Sequence, residues 1–180
     1  MRSLLFVLTM ATNSCAVEAV PTPPDAPKDM VATASTFTEL ELDLLSRVVC
    51  AECKGCSSQE RVAIAHVAMN RASQPRWWGD GLVDVLTKPS QFATSQSPLC
   101  GQSLPARQDG VEWSQGWVEK HRDIMSQIRF ESRMVLEGER GDPTGGAVYF
   151  HARRLGNIWD HLEEVSVPAD FRHRFFKEVE

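Results

Sequence analysis

Glu52 closes the run Arg47-Val48-Val49-Cys50-Ala51-Glu52-Cys53-Lys54-Gly55 and is the side chain best placed for acid–base chemistry. Leu44, Val48 and Glu52 stand at i, i+4 and i+8, so a helix puts them on one stripe. A stripe that is apolar until its last member carries a carboxyl group into or beside a core. Burial disfavours the charged form of such a group, and so does the negative end of a helix. A carboxyl held protonated near neutral pH is what a general acid requires. A glutamate at a helix end also serves as half of a surface ion pair, here with Arg47 or Lys54.

The elements that position Glu52 follow from the pattern around it. A first helix is expected from Glu39 to about Cys53, with Gly55 as a C′ glycine. Ser57-Ser58-Gln59-Glu60 fits a capping box, Ser57 at N-cap and Glu60 at N3. The helix it opens, Val62-Ala63-Ile64-Ala65-His66-Val67-Ala68-Met69, is apolar nearly all round and belongs at the centre of the core. Asn70 and Arg71 cap and brace its end. Trp77 and Trp78 are either a stacking platform or a buried pair, and a short helix follows through Val83 and Leu86.

An irregular polar stretch runs from Pro89 to Gly110. A long helix is expected from about Val111 to Leu136, with Trp113, Trp117, His121, Ile124, Ile128 and Val135 facing inward and Gly138 ending it. Asp142-Pro143-Thr144-Gly145-Gly146 is a tight turn and Ala147–His151 a short strand. The class is mainly α with a minor strand component.

Composition places one folded domain behind an N-terminal leader. Arg2 followed by the apolar run Leu4–Ala11 and small residues has the layout of a secretory signal peptide over residues 1–19. Val17-Glu18-Ala19 supplies a small-x-small cleavage site, and Cys15 offers lipidation as an alternative anchor. Residues 20–36, with four prolines, read as a semi-rigid linker, leaving 37–180 as the folded unit. The net charge of −5 argues against a nucleic-acid partner that needs a basic surface. The expected location is therefore the periplasm or cell envelope, with a possible tether through the N-terminus, and the expected state is a monomer.

Cys50, Cys53, Cys56 and Cys100 remain after removal of the leader. An even count in an exported chain favours disulfides; four metal ligands or buried thiols are the alternatives. In the paired reading Cys100 staples its loop to the Cys50–Cys56 region, with the connectivity left open.

Four blocks in order resemble the SleB-type cell wall hydrolases, the family of spore-cortex-lytic catalytic domains. They are Arg47–Glu52 with Val62–Arg71, then Lys88-Pro89-Ser90-Gln91-Phe92, then Asp142–Ala147 with Tyr149-Phe150-His151, and last His173-Arg174-Phe175-Phe176. The resemblance implies a compact lysozyme-like fold and cleavage of the glycan strands of peptidoglycan between N-acetylmuramic acid and N-acetylglucosamine. It also implies lytic transglycosylase chemistry leaving a 1,6-anhydromuramoyl end, with the family's catalytic glutamate at Glu52. The chain departs from the family at Gln59-Glu60-Arg61, where members carry Glu-Gly-Gln. It departs also at Cys50, often aromatic in members, and at Cys56, often acidic.

Cleaving a glycosidic bond needs a proton on the leaving oxygen, and most glycosidases use two carboxylates. Only Glu52 is well placed here; Asp142 lies in a turn and Asp80 and Asp84 in a variable loop. One acid suits a route in which the substrate's own 6-hydroxyl attacks. A muramidase using water, and a non-catalytic glycan-binding assembly factor, are the alternatives.

Gln91, Phe92, Thr144, Gly145, Tyr149, His151 and His173 are the candidate substrate-binding residues. Each has a structural alternative: a loop amide for Gln91, core packing for Phe92, a backbone turn for Thr144 and Gly145, satisfied histidines for the last two. No His-Glu-x-x-His spacing occurs, so neither metal nor cofactor is expected.

Overall fold

The computed structural model describes residues 37–92, 98–101, 105–107 and 109–179. The expected signal peptide, Cys15 and the expected linker over residues 20–36 lie outside the described residues. Among the described residues the architecture is four α-helices and one small antiparallel sheet. Their order is α1 (Glu39–Cys53), α2 (Ser58–Ser73), α3 (Leu82–Thr87), α4 (Gln115–Leu136), β1 (Tyr149–Ala152), β2 (Glu163–Val165) and β3 (His173–Lys177).

Helix α1 starts where a complete capping box forms: Thr38 Oγ1 accepts from the Glu41 backbone, and the Glu41 carboxylate accepts from the Thr38 N–H. It ends without the expected left-handed glycine. Gly55 has no positive φ. Its lack of a side chain instead makes room for the Arg172 guanidinium, which lies 3.4 Å from where a Cβ would stand.

Helix α2 is the central helix. Ala63, Ile64, Ala65, Val67 and Ala68 are buried, and α1, α3 and α4 all pack against it. Burying each large aliphatic side chain contributes about 1.5–3 kcal/mol. Ser57 caps it as expected, accepting from the Glu60 backbone N–H. The Glu60 side chain does not close the box; it accepts instead from the backbone N–H groups of Arg172 and His173.

Helix α4 starts at Gln115 rather than near Val111, because Ser114 supplies the N-cap oxygen to the Trp117 N–H. Its buried face is His121, Met125, Ile128, Glu131, Ser132, Val135 and Leu136. Trp117 does not share that face and is 57 % exposed. Gly138, at φ +73°, ends the helix. The two adjacent tryptophans also separate: Trp78 is fully buried, its Nε1 donating to the Arg71 and Gln74 carbonyls, while Trp77 is exposed.

The sheet has strand order β1-β3-β2, with Phe150 opposite Phe175 and Val165 opposite Phe175. Two disulfides complete the frame. Cys50–Cys100 ties α1 to the loop before α4, and Cys53–Cys56 closes the end of α1. No helix among the described residues is long and apolar enough to cross a membrane.

Candidate active site

Glu52 lies on the last turn of α1, half-buried rather than enclosed in the core. It opens on a groove of about 530 Å³ shared with Arg71, Gln91, Phe92, Phe150, His151 and His173. Arg47 pairs with Asp43 at 2.9 Å, and Lys54 meets His121 Nδ1 at 3.3 Å, so the two basic neighbours of Glu52 in sequence are engaged elsewhere.

Arg71 locks together three of the elements that build the groove. From the end of α2 its Nε donates to the Val148 carbonyl at 2.7 Å. Its Nη1 donates to the Gln91 carbonyl at 3.3 Å, and the guanidinium lies 4.7 Å above the Phe92 ring. Burial lowers the Arg71 pKa to about 10, against the opposing pull of Tyr149 and Glu52. The guanidinium therefore stays charged at neutral pH beside the Glu52 carboxyl.

Two histidines line the same groove. His151 on β1 is 7 % exposed, its Nδ1 3.0 Å from the Ala152 carbonyl oxygen. Its Nε2 is buried without a hydrogen-bond partner among the described residues. A buried polar atom left unpaired costs about 1–3 kcal/mol, and a ligand group that reaches it recovers that cost. His173 opens β3; its Nδ1 is 2.8 Å from Glu60 Oε1, and its ring meets Phe150 edge-on at 5.4 Å.

Glu60 thus has a use that a capping box does not predict. It is 1 % exposed, and one of its oxygens accepts from the backbone N–H groups of Arg172 and His173 as well as facing the His173 ring. Arg61 beside it makes a buried two-pronged ion pair with Glu131 of α4, 2.7 Å at each prong. Two of the residues that depart from the family pattern, Glu60 and Arg61, therefore hold β3 and α4 against α2.

The expected site residues divide. Glu52, Gln91, Phe92, His151 and His173 line the groove. Thr144 and Gly145 are not among the lining residues. Thr144 is fully buried in the turn, its hydroxyl donating to Asp142 Oδ1 and accepting from the Ala147 N–H. Gly145 supplies φ +57° to the same turn. Asp142 organises it, accepting from Thr144 N, Gly146 N and Asn70 Nδ2 within 2.9 Å. Tyr149 lies behind the groove, donating to Glu178 Oε1 and packing edge-on against Trp78.

Sequence reasoning did not single out Phe150, Ser90 or Arg154 as lining residues and gave Arg71 a bracing role only. Strand alternation would put Phe150 and His151 on opposite faces of β1, so it does not mark both as lining residues, though both line the groove.

Four potential metal ligands, from Cys53, Cys56, Glu60 and His173, converge within 4.8 Å of one another. Both sulfurs are joined in the Cys53–Cys56 disulfide, which withdraws two of the four. A larger concavity, about 900 Å³, runs along α4 past Trp113 and Trp117 and does not include Glu52.

A family described as Cell Wall Hydrolase matches residues 55–176, from just after Glu52 through β3. No curated protein and no solved structure matches the chain. The matched segment spans more than half of the sequence and carries every lining residue of the groove except Glu52. This protein belongs to the cell wall hydrolase family, enzymes that act on the cell wall.

Proposed function

We propose that the protein is an exported lytic transglycosylase that cleaves peptidoglycan between N-acetylmuramic acid and N-acetylglucosamine, with Glu52 as the one general acid and base. The observation that carries this reading is that Glu52 is the single carboxylate among the described residues lining its groove. Glu60, the nearest buried acid by position, has its oxygen committed to β3.

The chemistry needs no second acid. Glu52 gives its proton to the glycosidic oxygen as the bond from that oxygen to the muramoyl C1 breaks. The positive charge developing at C1 is met by the 6-hydroxyl oxygen of the same sugar, which forms the new C1–O6 bond. The hydroxyl proton passes to the Glu52 carboxylate, and the acid is restored. The charged Arg71 guanidinium stabilises the Glu52 carboxylate between the two half-steps. Gln91, His151 Nε2 and His173 supply polar atoms for the sugar's hydroxyl and acetamido groups.

Mass spectrometry of the fragments released from purified sacculi tests the reaction. Transglycosylation yields 1,6-anhydromuramoyl ends. Reducing ends, one water heavier, would replace this reading with hydrolysis. Export is tested by the mass of the mature protein, whose first residue is expected to be Val20, after Ala19.

A further inference from the structure

A second concavity, about 580 Å³, adjoins the Glu52 groove and is lined by Ala152, Arg153, Arg154, Arg172 and His173. It shares Ala152, Arg154 and His173 with that groove, so the two are continuous. Among the described residues three guanidinium groups and no carboxylate line it, in a chain whose net charge is −5.

The arginines differ in what they do. Arg153 is turned back on the chain: Nε donates to the Phe171 carbonyl at 2.9 Å and Nη2 to that of His173 at 3.5 Å. It fixes the wall. Arg154 and Arg172 are exposed. The ion pairs of the neighbouring sheet are Arg174–Glu164 and Lys177–Glu163, and neither Arg154 nor Arg172 takes part in them. Glu164 is also near Arg153 and His151, but Arg174 holds it with both prongs and keeps its carboxyl below the usual range. Arg172 is seated over Gly55, just past the C-terminal end of α1, where the helix dipole is negative.

Guanidinium groups without a protein carboxylate, fixed along a groove wall, are suited to grip carboxylates of a ligand by paired hydrogen bonds. We infer that this concavity binds the carboxylates of the peptide stems of peptidoglycan, and so makes stem-bearing glycan the preferred substrate. The inference rests on the reading of the Glu52 groove as a glycan site. The stem hangs from the same muramoyl sugar whose C1 faces Glu52, so an acidic peptide leaving the groove has the arginine wall within immediate reach.

Two preparations of un-cross-linked strands, free of other anionic polymers, test this: one bearing stems, one stripped by an N-acetylmuramoyl-L-alanine amidase. Cleavage rates are compared for wild type, Arg172→Glu and Arg172→Lys. Co-sedimentation of the Glu52→Gln variant, with and without Arg172→Glu, is measured on the same two preparations. The wild type is expected to favour stem-bearing strands by roughly three- to tenfold, the scale of one or two partly exposed charge pairs. That preference should shrink as salt is raised. Arg172→Glu should remove it while leaving the rate on stripped strands unchanged, and Arg172→Lys should keep part of it.

Equal wild-type rates on both preparations, or an equal loss on both in Arg172→Glu, would overturn the inference. If the wild type cleaves neither preparation, the transglycosylase reading fails alone. Stem-dependent sedimentation that Arg172→Glu abolishes would then still uphold the arginine site, and stem-independent sedimentation would reject it.

Discussion

At the scale of single residues, the positions that line the groove and the positions that support it are physically distinct. Glu52 was legible because a carboxyl at the end of an apolar stripe is costly unless used. Arg71 was legible only as a brace, since nothing in its spacing shows that the groove wraps around it. Thr144 looked like a groove residue because its block precedes the strand; the turn around Asp142 takes its hydroxyl instead.

Burial pushes the Asp142 carboxyl up, but hydrogen bonds from Thr144, Asn70 and Gly146 outweigh it and hold the group below its usual 3.8. A depressed folded-state value stabilises the fold above the unfolded pKa, and the contribution is lost as pH falls through the folded one. Wild type should therefore lose stability on acidification below about pH 4 more steeply than Asp142→Asn. At neutral pH Asp142→Asn should be less stable by roughly 1–3 kcal/mol, measured by urea denaturation, because the turn's donors lose a charged acceptor.

At the scale of elements, the helices were readable and their partners were not. The bounds of α1 and the Ser57 cap of α2 follow from local rules. Trp117 was assigned to the buried face of α4 by periodicity, yet it stands only two residues inside the helix, on the first turn that projects beyond the core. The β1–β3 pairing joins residues more than twenty positions apart, which local alternation cannot specify, and β2 carries too short a pattern to be seen. The use of Glu60 and Arg61 was hidden for the same reason: their partners, His173 and Glu131, are distant in sequence.

The Arg61–Glu131 pair is buried and two-pronged, so removing one partner strands a charge between α2 and α4. Glu131→Ala is expected to cost about 3–5 kcal/mol. Replacing both residues with apolar ones of similar volume should cost much less. A double-mutant cycle by chemical denaturation checks both values.

At the scale of the whole molecule, the two disulfides have unequal weight. Cys50–Cys100 spans 50 residues of sequence and Cys53–Cys56 spans 3. Loop-closure entropy assigns the longer one about 4 kcal/mol. Cys50→Ser with Cys100→Ser should therefore lower the melting temperature clearly, and Cys53→Ser with Cys56→Ser should lower it less, as read by calorimetry.

The mainly helical class was legible in the sequence, as was the family; the groove required the fold, because it gathers α1, α2, the loop after α3 and two strands around one carboxyl. Whether that carboxyl does the chemistry is decided by one comparison: digestion of purified sacculi by wild type and by Glu52→Gln, with products read by mass. The account predicts anhydromuramoyl fragments from the wild type and a rate at least roughly 10²-fold lower from Glu52→Gln, the usual scale of a lost general acid. Release of the same fragments at an undiminished rate by Glu52→Gln would contradict it.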